Sequence, residues 1–306
     1  MNRAADRYIT GALLGRGGMG VVHRATDRVT GRPVALKRLA VGHDAEPAFR
    51  ARFTREVRAM ARVHHPNVVG IHASGEDADG PWFVMDLCEG GTLADRLRDS
   101  PLSPVEARHL ASDVLAALGA IHGAGLVHRD VKPANILRDA NRWRVSDFGI
   151  VRDTTGATTV TQVGMIVGTP DYLAPEHFRE GPVGPAADLY ALGAMLYHAL
   201  TGTPPYRADN SLRLAMLHAT APAPALPDAV RGTDPELASL VDGLLRKDPG
   251  DRLTIRGAEG ILAGEADGAT LVAMAGAGSP SGTPTMVLRH RRRRRRLYDI
   301  ATALAD

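Results

Sequence analysis

The chain has 306 residues, 44% of them hydrophobic, enough for two lobes that each bury a core. Its formal net charge of +3 hides a split: Arg289 and Arg291 to Arg296 supply seven positive charges, which leaves −4 on the rest and no electrostatic support for nucleic-acid binding by the main domain. The one cysteine, Cys88, excludes an internal disulfide and makes a reducing cytoplasm the expected compartment, and no apolar run reaches the ~18 residues of a membrane span.

Residues 8 to 14 predict a strand that runs into Gly15-Arg16-Gly17-Gly18-Met19-Gly20-Val21-Val22. Glycine lets a backbone approach phosphates closely and present its N–H groups. Dinucleotide-binding folds use the same glycine spacing, but there a helix must follow. Here a β-rich run, Val21 to Ala25, is followed by a turn at Thr30 to Pro33 and then by Val34-Ala35-Leu36-Lys37. The only lysines are Lys37, Lys132 and Lys247, so a chain that otherwise uses arginine keeps lysine at a few chosen places. A helix is predicted over 46–62, with Phe49, Phe53, Val57 and Met60 at helical spacing and Glu56 at the edge of that stripe. His64-His65-Pro66-Asn67 forms its terminating turn; no second pair at ligand spacing accompanies the two histidines. Trp82 to Met85 is a buried strand and Asp86 to Gly91 a connector.

Ser103-Pro104-Val105-Glu106 has the form of a capping box with proline in the first turn. The helix it opens carries an apolar stripe of Leu110, Val114, Leu115, Leu118 and Ile121. Next come His128-Arg129-Asp130-Val131-Lys132-Pro133-Ala134-Asn135 and, after two short strand-like runs, Asp147-Phe148-Gly149. Loop, hairpin and loop let Asp130, Asn135 and Asp147 converge on one cleft. A carboxylate there can orient a hydroxyl and take its proton, and hard oxygen ligands suit the magnesium of a nucleoside triphosphate.

In this order the segments resemble those of protein kinases, and Lys132, two residues after Asp130, resembles the serine/threonine-specific branch in its bacterial, Hanks-type form. The resemblance implies an α+β, bilobal kinase fold over residues 8–264. A small antiparallel β-sheet with one regulatory helix would form the N-lobe (8–85), 86–91 the hinge, and a mainly helical C-lobe would span 92–264. It implies that Asp130 is the catalytic base and that Lys132 neutralises charge on the γ-phosphoryl group. Lys37, paired with Glu56, would hold the α- and β-phosphates of ATP, and Asn135 and Asp147 would hold Mg2+. The nucleotide pocket would be lined by Leu14, Gly15, Arg16, Gly17, Gly18, Met19, Gly20, Val21, Val22, Ala35 and Lys37 above. Met85, Asp86 and Cys88 would stand at the hinge, with Leu137 and Ser146 below.

Ile150 to Glu176 resembles an activation segment. Arg129 is the residue that would catch a phosphorylated threonine in it, with Thr159 and Thr161 expected to be autophosphorylated in trans by a transient homodimer. Thr169 is expected to tie Asp130 and Lys132 in place. By the same resemblance, Asp188 bonds the backbone of the Asp130 loop and Arg252 pairs with Glu176. Asp234-Pro235 caps a helix from Glu236 to Leu245.

Residues 265–288, rich in glycine, alanine, serine and proline, form an expected flexible linker, in which Thr283 and Thr285 offer phosphothreonines to a binding partner. Residues 289–306 are an arginine-rich tail suited to an anionic membrane surface at the inner face. The expected protein is cytoplasmic or peripheral, with protein substrates bearing serine or threonine acceptors. Two alternatives stand beside this reading. One is a pseudokinase, a partner- or nucleotide-binding signalling module; such proteins usually lack the lysine or one of the two aspartates that Lys37, Asp130 and Asp147 supply. The other is a nucleic-acid-binding protein organised by the arginine tail.

Overall fold

The structure, a computed structural model, describes residues 4–17, 20–39, 47–147, 170–179 and 182–265, with the backbone alone for 47–52. Gly18, Met19, Phe148, the threonines from Thr154 to Thr169, and the linker and tail expected beyond 265 lie outside these residues, as does the side chain of Phe49.

A five-stranded antiparallel sheet builds the first lobe. Its strands are β1 (Tyr8–Gly17), β2 (Gly20–Asp27), β3 (Pro33–Leu39), β4 (Ile71–Asp77) and β5 (Gly80–Asp86), in spatial order β1-β2-β3-β5-β4. Left-handed Gly31 (φ 69°) and Gly80 (φ 101°) make the turns before β3 and β5. β5 is an unbroken apolar run because both its faces are covered. Phe83 and Met85 join the main core, while Trp82 and Val84 pack with Tyr8, Ala25, Val34 and Leu36 on the other side. The short helix α1 (Ala4–Arg7) closes that second face; Ala4 is fully buried and its N–H donates to Asp77 Oδ2 at 3.1 Å.

Helix α2 (Pro47–Met60) lies against the sheet through Phe53, Val57 and Met60. It is shorter than the predicted 46–62 because Ala61 and Arg62 already belong to the turn, where Asn67 N–H donates to His65 Nδ1 at 3.2 Å. Of the two turn histidines His65 thus accepts from backbone, and no metal-ligand cluster exists among the described residues.

In the second lobe α3 (Leu93–Asp99) and α4 (Pro104–Gly123) both start with capping boxes, Thr92 with Asp95 and Ser103 with Glu106. The predicted stripe on α4 is fully buried. A hairpin, β6 (Ile136–Asp139) and β7 (Arg142–Val145), sits against α4. The remaining helices are α5 (Ala186–Thr201), α6 (Ser211–Thr220), α7 (Asp228–Thr233), α8 (Pro235–Leu244) and α9 (Ile255–Ala263). Asp234 caps α8 by accepting from Leu237 N–H at 2.9 Å. Among the described residues no helix is long and apolar enough to cross a membrane.

Candidate active site

The loop from His128 to Asn135 is held from three sides. Asp188, near the start of α5 and 1% exposed, accepts from the N–H groups of His128 (2.8 Å) and Arg129 (2.7 Å) and from His122 Nε2 (2.8 Å). His128, fully buried, accepts from Asp130 N–H at Nδ1 (3.2 Å) and contacts Ser146 O through Nε2 at 2.9 Å. That pattern puts the ring proton on Nε2. The histidine thereby joins the Asp130 loop to the residue just before Asp147. Arg129 and Asp147 both adopt left-handed backbone conformations, with φ of 63° and 54°. Non-glycine residues pay strain there, and a network that over-determines the loop can hold it.

These constraints bring together the acidic and basic groups singled out in the sequence. Asp130 is 6% exposed; Lys132 Nζ lies 2.8 Å from its Oδ2, and Asn135 Nδ2 donates to the same oxygen at 3.0 Å and to the Asp130 carbonyl at 2.8 Å. With its amide nitrogen so used, Asn135 can offer a metal its carbonyl oxygen. Across the cleft, Lys37 Nζ is 2.5 Å from Asp147 Oδ1. The Asp147 carboxylate and the Asn135 amide carbonyl are hard oxygen donors of the kind that suits Mg2+.

Glu56 was the expected partner of Lys37. Among the described residues Lys37 meets the Asp147 carboxylate, and Glu56 is half-buried on α2. Lys37 is 7% exposed with its ammonium 5.9 Å from the Phe83 ring centre, and a cation so buried must have a counter-charge in reach.

The glycine turn closes the β1–β2 hairpin, with Gly15 opposite Val22 and Gly17 opposite Gly20. Gly20 is required by packing: φ is 140° and a Cβ would lie 2.0 Å from Arg38 O. Gly15 and Gly17 are different, since a Cβ on either would meet nothing within 4 Å. Open space over these two glycines fits a close-approaching phosphate. Ala35 and Met85 are buried in the main core, with Val22, Cys88 and Leu137 packed against it. Leu14 is half exposed, and Arg16 is exposed too. Burial pushes the Cys88 thiol up to about 11, which makes it an apolar wall and not a nucleophile.

Asp86, expected at the hinge, uses its N–H and its carboxylate inside the fold. Its N–H donates to Gly70 O at 3.0 Å, and its carboxylate binds Gly70 N–H, His72 and Arg144. Both are committed within the protein. Arg144 and His72 were not picked out from the sequence, where nothing separates them from the many other basic residues. Arg252, its side chain wholly buried, does pair with Glu176, at 2.7 and 3.1 Å.

A family model described as protein kinase domain matches residues 8–262. Serine/threonine-protein kinase PknL of Mycobacterium tuberculosis is 38% identical over 249 residues, 81% of this chain and 62% of that protein. Serine/threonine-protein kinase PknB of Mycobacterium leprae is 38% identical over 256 residues, 81% of this chain and 41% of that protein. Its namesake in Mycolicibacterium smegmatis is 38% identical over 257 residues, with the same coverage. The chain thus spans less than two thirds of the length of each of these relatives.

Proposed function

The chain belongs to the protein kinase family, and from that premise we propose that it transfers the γ-phosphoryl group of ATP to serine or threonine hydroxyls of protein substrates. The observation that carries this reading is the Asp130 carboxylate, buried and touched by Lys132 and Asn135. A carboxylate so held accepts the proton of an incoming hydroxyl, and the Lys132 ammonium offsets negative charge on the group in transfer. Lys37 would bind phosphate oxygens, and Glu56 is the carboxylate proposed to steady it. Asn135 and Asp147 would hold Mg2+, which when bound supplies positive charge against the phosphates. Gly15 and Gly17 would leave room for the phosphates, and Ala35, Val22, Met85, Cys88 and Leu137 would enclose the base.

Residues 8–264 are proposed as the kinase domain, 265–288 as a linker and 289–306 as a cationic tail. Thr159 and Thr161 are proposed autophosphorylation sites, placed by sequence alone. The protein is proposed to work in the cytoplasm, with the tail drawn to anionic lipid at the inner face.

Transfer of radiolabelled phosphate from ATP to a general protein substrate, followed by phosphoamino-acid analysis, tests the reading. Wild type should label serine or threonine, and Asp130→Asn should lose transfer by ~10²- to 10⁴-fold while still binding nucleotide. Wild-type protein that binds ATP and labels nothing would make the pseudokinase reading the correct one.

A further inference from the structure

Arg144, on β7, gathers three segments that are distant in the chain. One of its terminal nitrogens donates to Asp86 Oδ2 at 2.6 Å and to Val68 O at 2.8 Å; the other donates to Asp139 Oδ2 at 2.9 Å. Asp86 ends β5 and leads straight into the connector between the lobes. Val68 lies in the loop that follows α2, and Asp139 ends β6. The Asp86 carboxylate is then completed from β4 and the residue before it. Gly70 N–H donates to Oδ2 at 2.9 Å, and His72 Nε2 meets Oδ1 at 2.7 Å. The fit is close, for a Cβ at Gly70 would stand 3.1 Å from Oδ2.

We propose that Arg144 is a positioning residue for the nucleotide, clamping the connector and the loop after α2 to the hairpin that leads into Asp147. The inference rests on the kinase reading given above. An exposed ion pair would contribute little. This one is different, because the Arg144 side chain is 14% exposed and its planar fork serves two carboxylates and a carbonyl at once. Burial acts to raise the Asp86 pKa, but the Gly70 N–H and the Arg144 cation outweigh it, so the carboxyl stays below the usual carboxylate range and charged. The same strand ties the loop after α2 by backbone bonds, Val145 N–H to Asn67 O at 2.8 Å and Val69 N–H to Val145 O at 2.9 Å. Loss of Arg144 would free the connector at Asp86, two residues before Cys88, and would loosen the hairpin that carries Leu137. Asp130 and Lys132 touch none of these groups, and the approach to Asp147 keeps its own ties, Ser146 N–H and Oγ to Asn135 O at 2.9 and 3.0 Å, so the chemical step should be spared.

The test compares wild type, Arg144→Lys, Arg144→Ala and Gly70→Ala in steady-state kinetics and in calorimetric binding of ADP. Arg144→Ala should raise KM for ATP and weaken ADP binding by about tenfold, the equivalent of ~1.4 kcal/mol, with kcat within about twofold. Arg144→Lys, which keeps a cation but not the fork, should fall between the two. A drop in melting temperature with ADP affinity unchanged would make the role merely structural and overturn the proposal, as would a fall in kcat at constant KM. Should Arg144→Ala fail to fold, Gly70→Ala decides: ADP must bind about threefold more weakly, and unchanged affinity overturns the clamp. ADP binding reads the clamp even if wild type transfers no phosphate, so failure of the kinase reading would show separately.

Discussion

Asp188 shows how much one buried side chain can carry. Its two oxygens serve two backbone N–H groups and one imidazole, all of them in or beside the loop that presents Asp130. Removing the carboxylate strands donors that water cannot reach, at a cost of 1–3 kcal/mol each as an order of magnitude. Asp188→Ala should therefore lower unfolding free energy by about 3 kcal/mol, and Asp188→Asn, which keeps one acceptor oxygen, by less. Urea titration of the two variants checks both numbers. Equal losses would mean that charge, not hydrogen-bond geometry, holds the loop. A buried aspartate in this place was anticipated from the resemblance to protein kinases. The third bond, from His122, was not, because nothing local distinguishes that histidine from one on a solvated helix end.

Where helices meet, the sequence spoke unevenly. Local rules placed the glycine turn, the Ser103 cap and the stripe on α4, since each depends on neighbours within one or two turns. Contacts between elements escaped it. His218 on α6 meets Tyr190 of α5, its Nδ1 3.1 Å from the phenol oxygen, while Lys247 Nζ donates to the His218 carbonyl at 2.7 Å and to Tyr206 at 2.9 Å. No periodicity foretells that meeting. Burial, then the Lys247 cation, pushes His218 down to about 3, against an opposing pull from the Asp171 backbone. Folded-state depression means that the unfolded chain binds a proton near pH 6.5 which the folded chain refuses. Stability from this group is thus complete above pH 6.5 and drains away as pH falls toward 3. Between pH 6.5 and 4.5 the loss should be about 2 kcal/mol. Urea midpoints for wild type and His218→Phe across that range isolate it, because the phenylalanine variant should lose less by that amount. Parallel curves would show that His218 takes up a proton inside the fold.

The last described helix is tied down well before the arginine-rich sequence begins. Arg108 of α4 reaches Asp234 at 2.5 and 2.7 Å, also meets Glu236, and donates to the Leu262 carbonyl of α9 at 3.0 Å. Gly264, in a left-handed conformation (φ 72°), then caps α9. The last helix is thus pinned on both α4 and α8, and we expect the proposed catalytic groups to keep their places without the sequence that follows. The seven arginines at 289 and 291–296 would act by charge at the proposed anionic surface, each adding ~1 kcal/mol and all of them screened by salt. A chain ending at Glu265 should then keep kcat and KM for ATP within about twofold, ~0.4 kcal/mol, of the full chain. It should lose sedimentation with phosphatidylserine vesicles, which the full chain should show at low salt and shed as salt rises. If the shortened chain lost phosphate transfer, the tail would be part of the working kinase and the boundary at 264 misplaced. If it still sedimented with vesicles, the charge that finds the membrane would have to lie in the kinase domain itself.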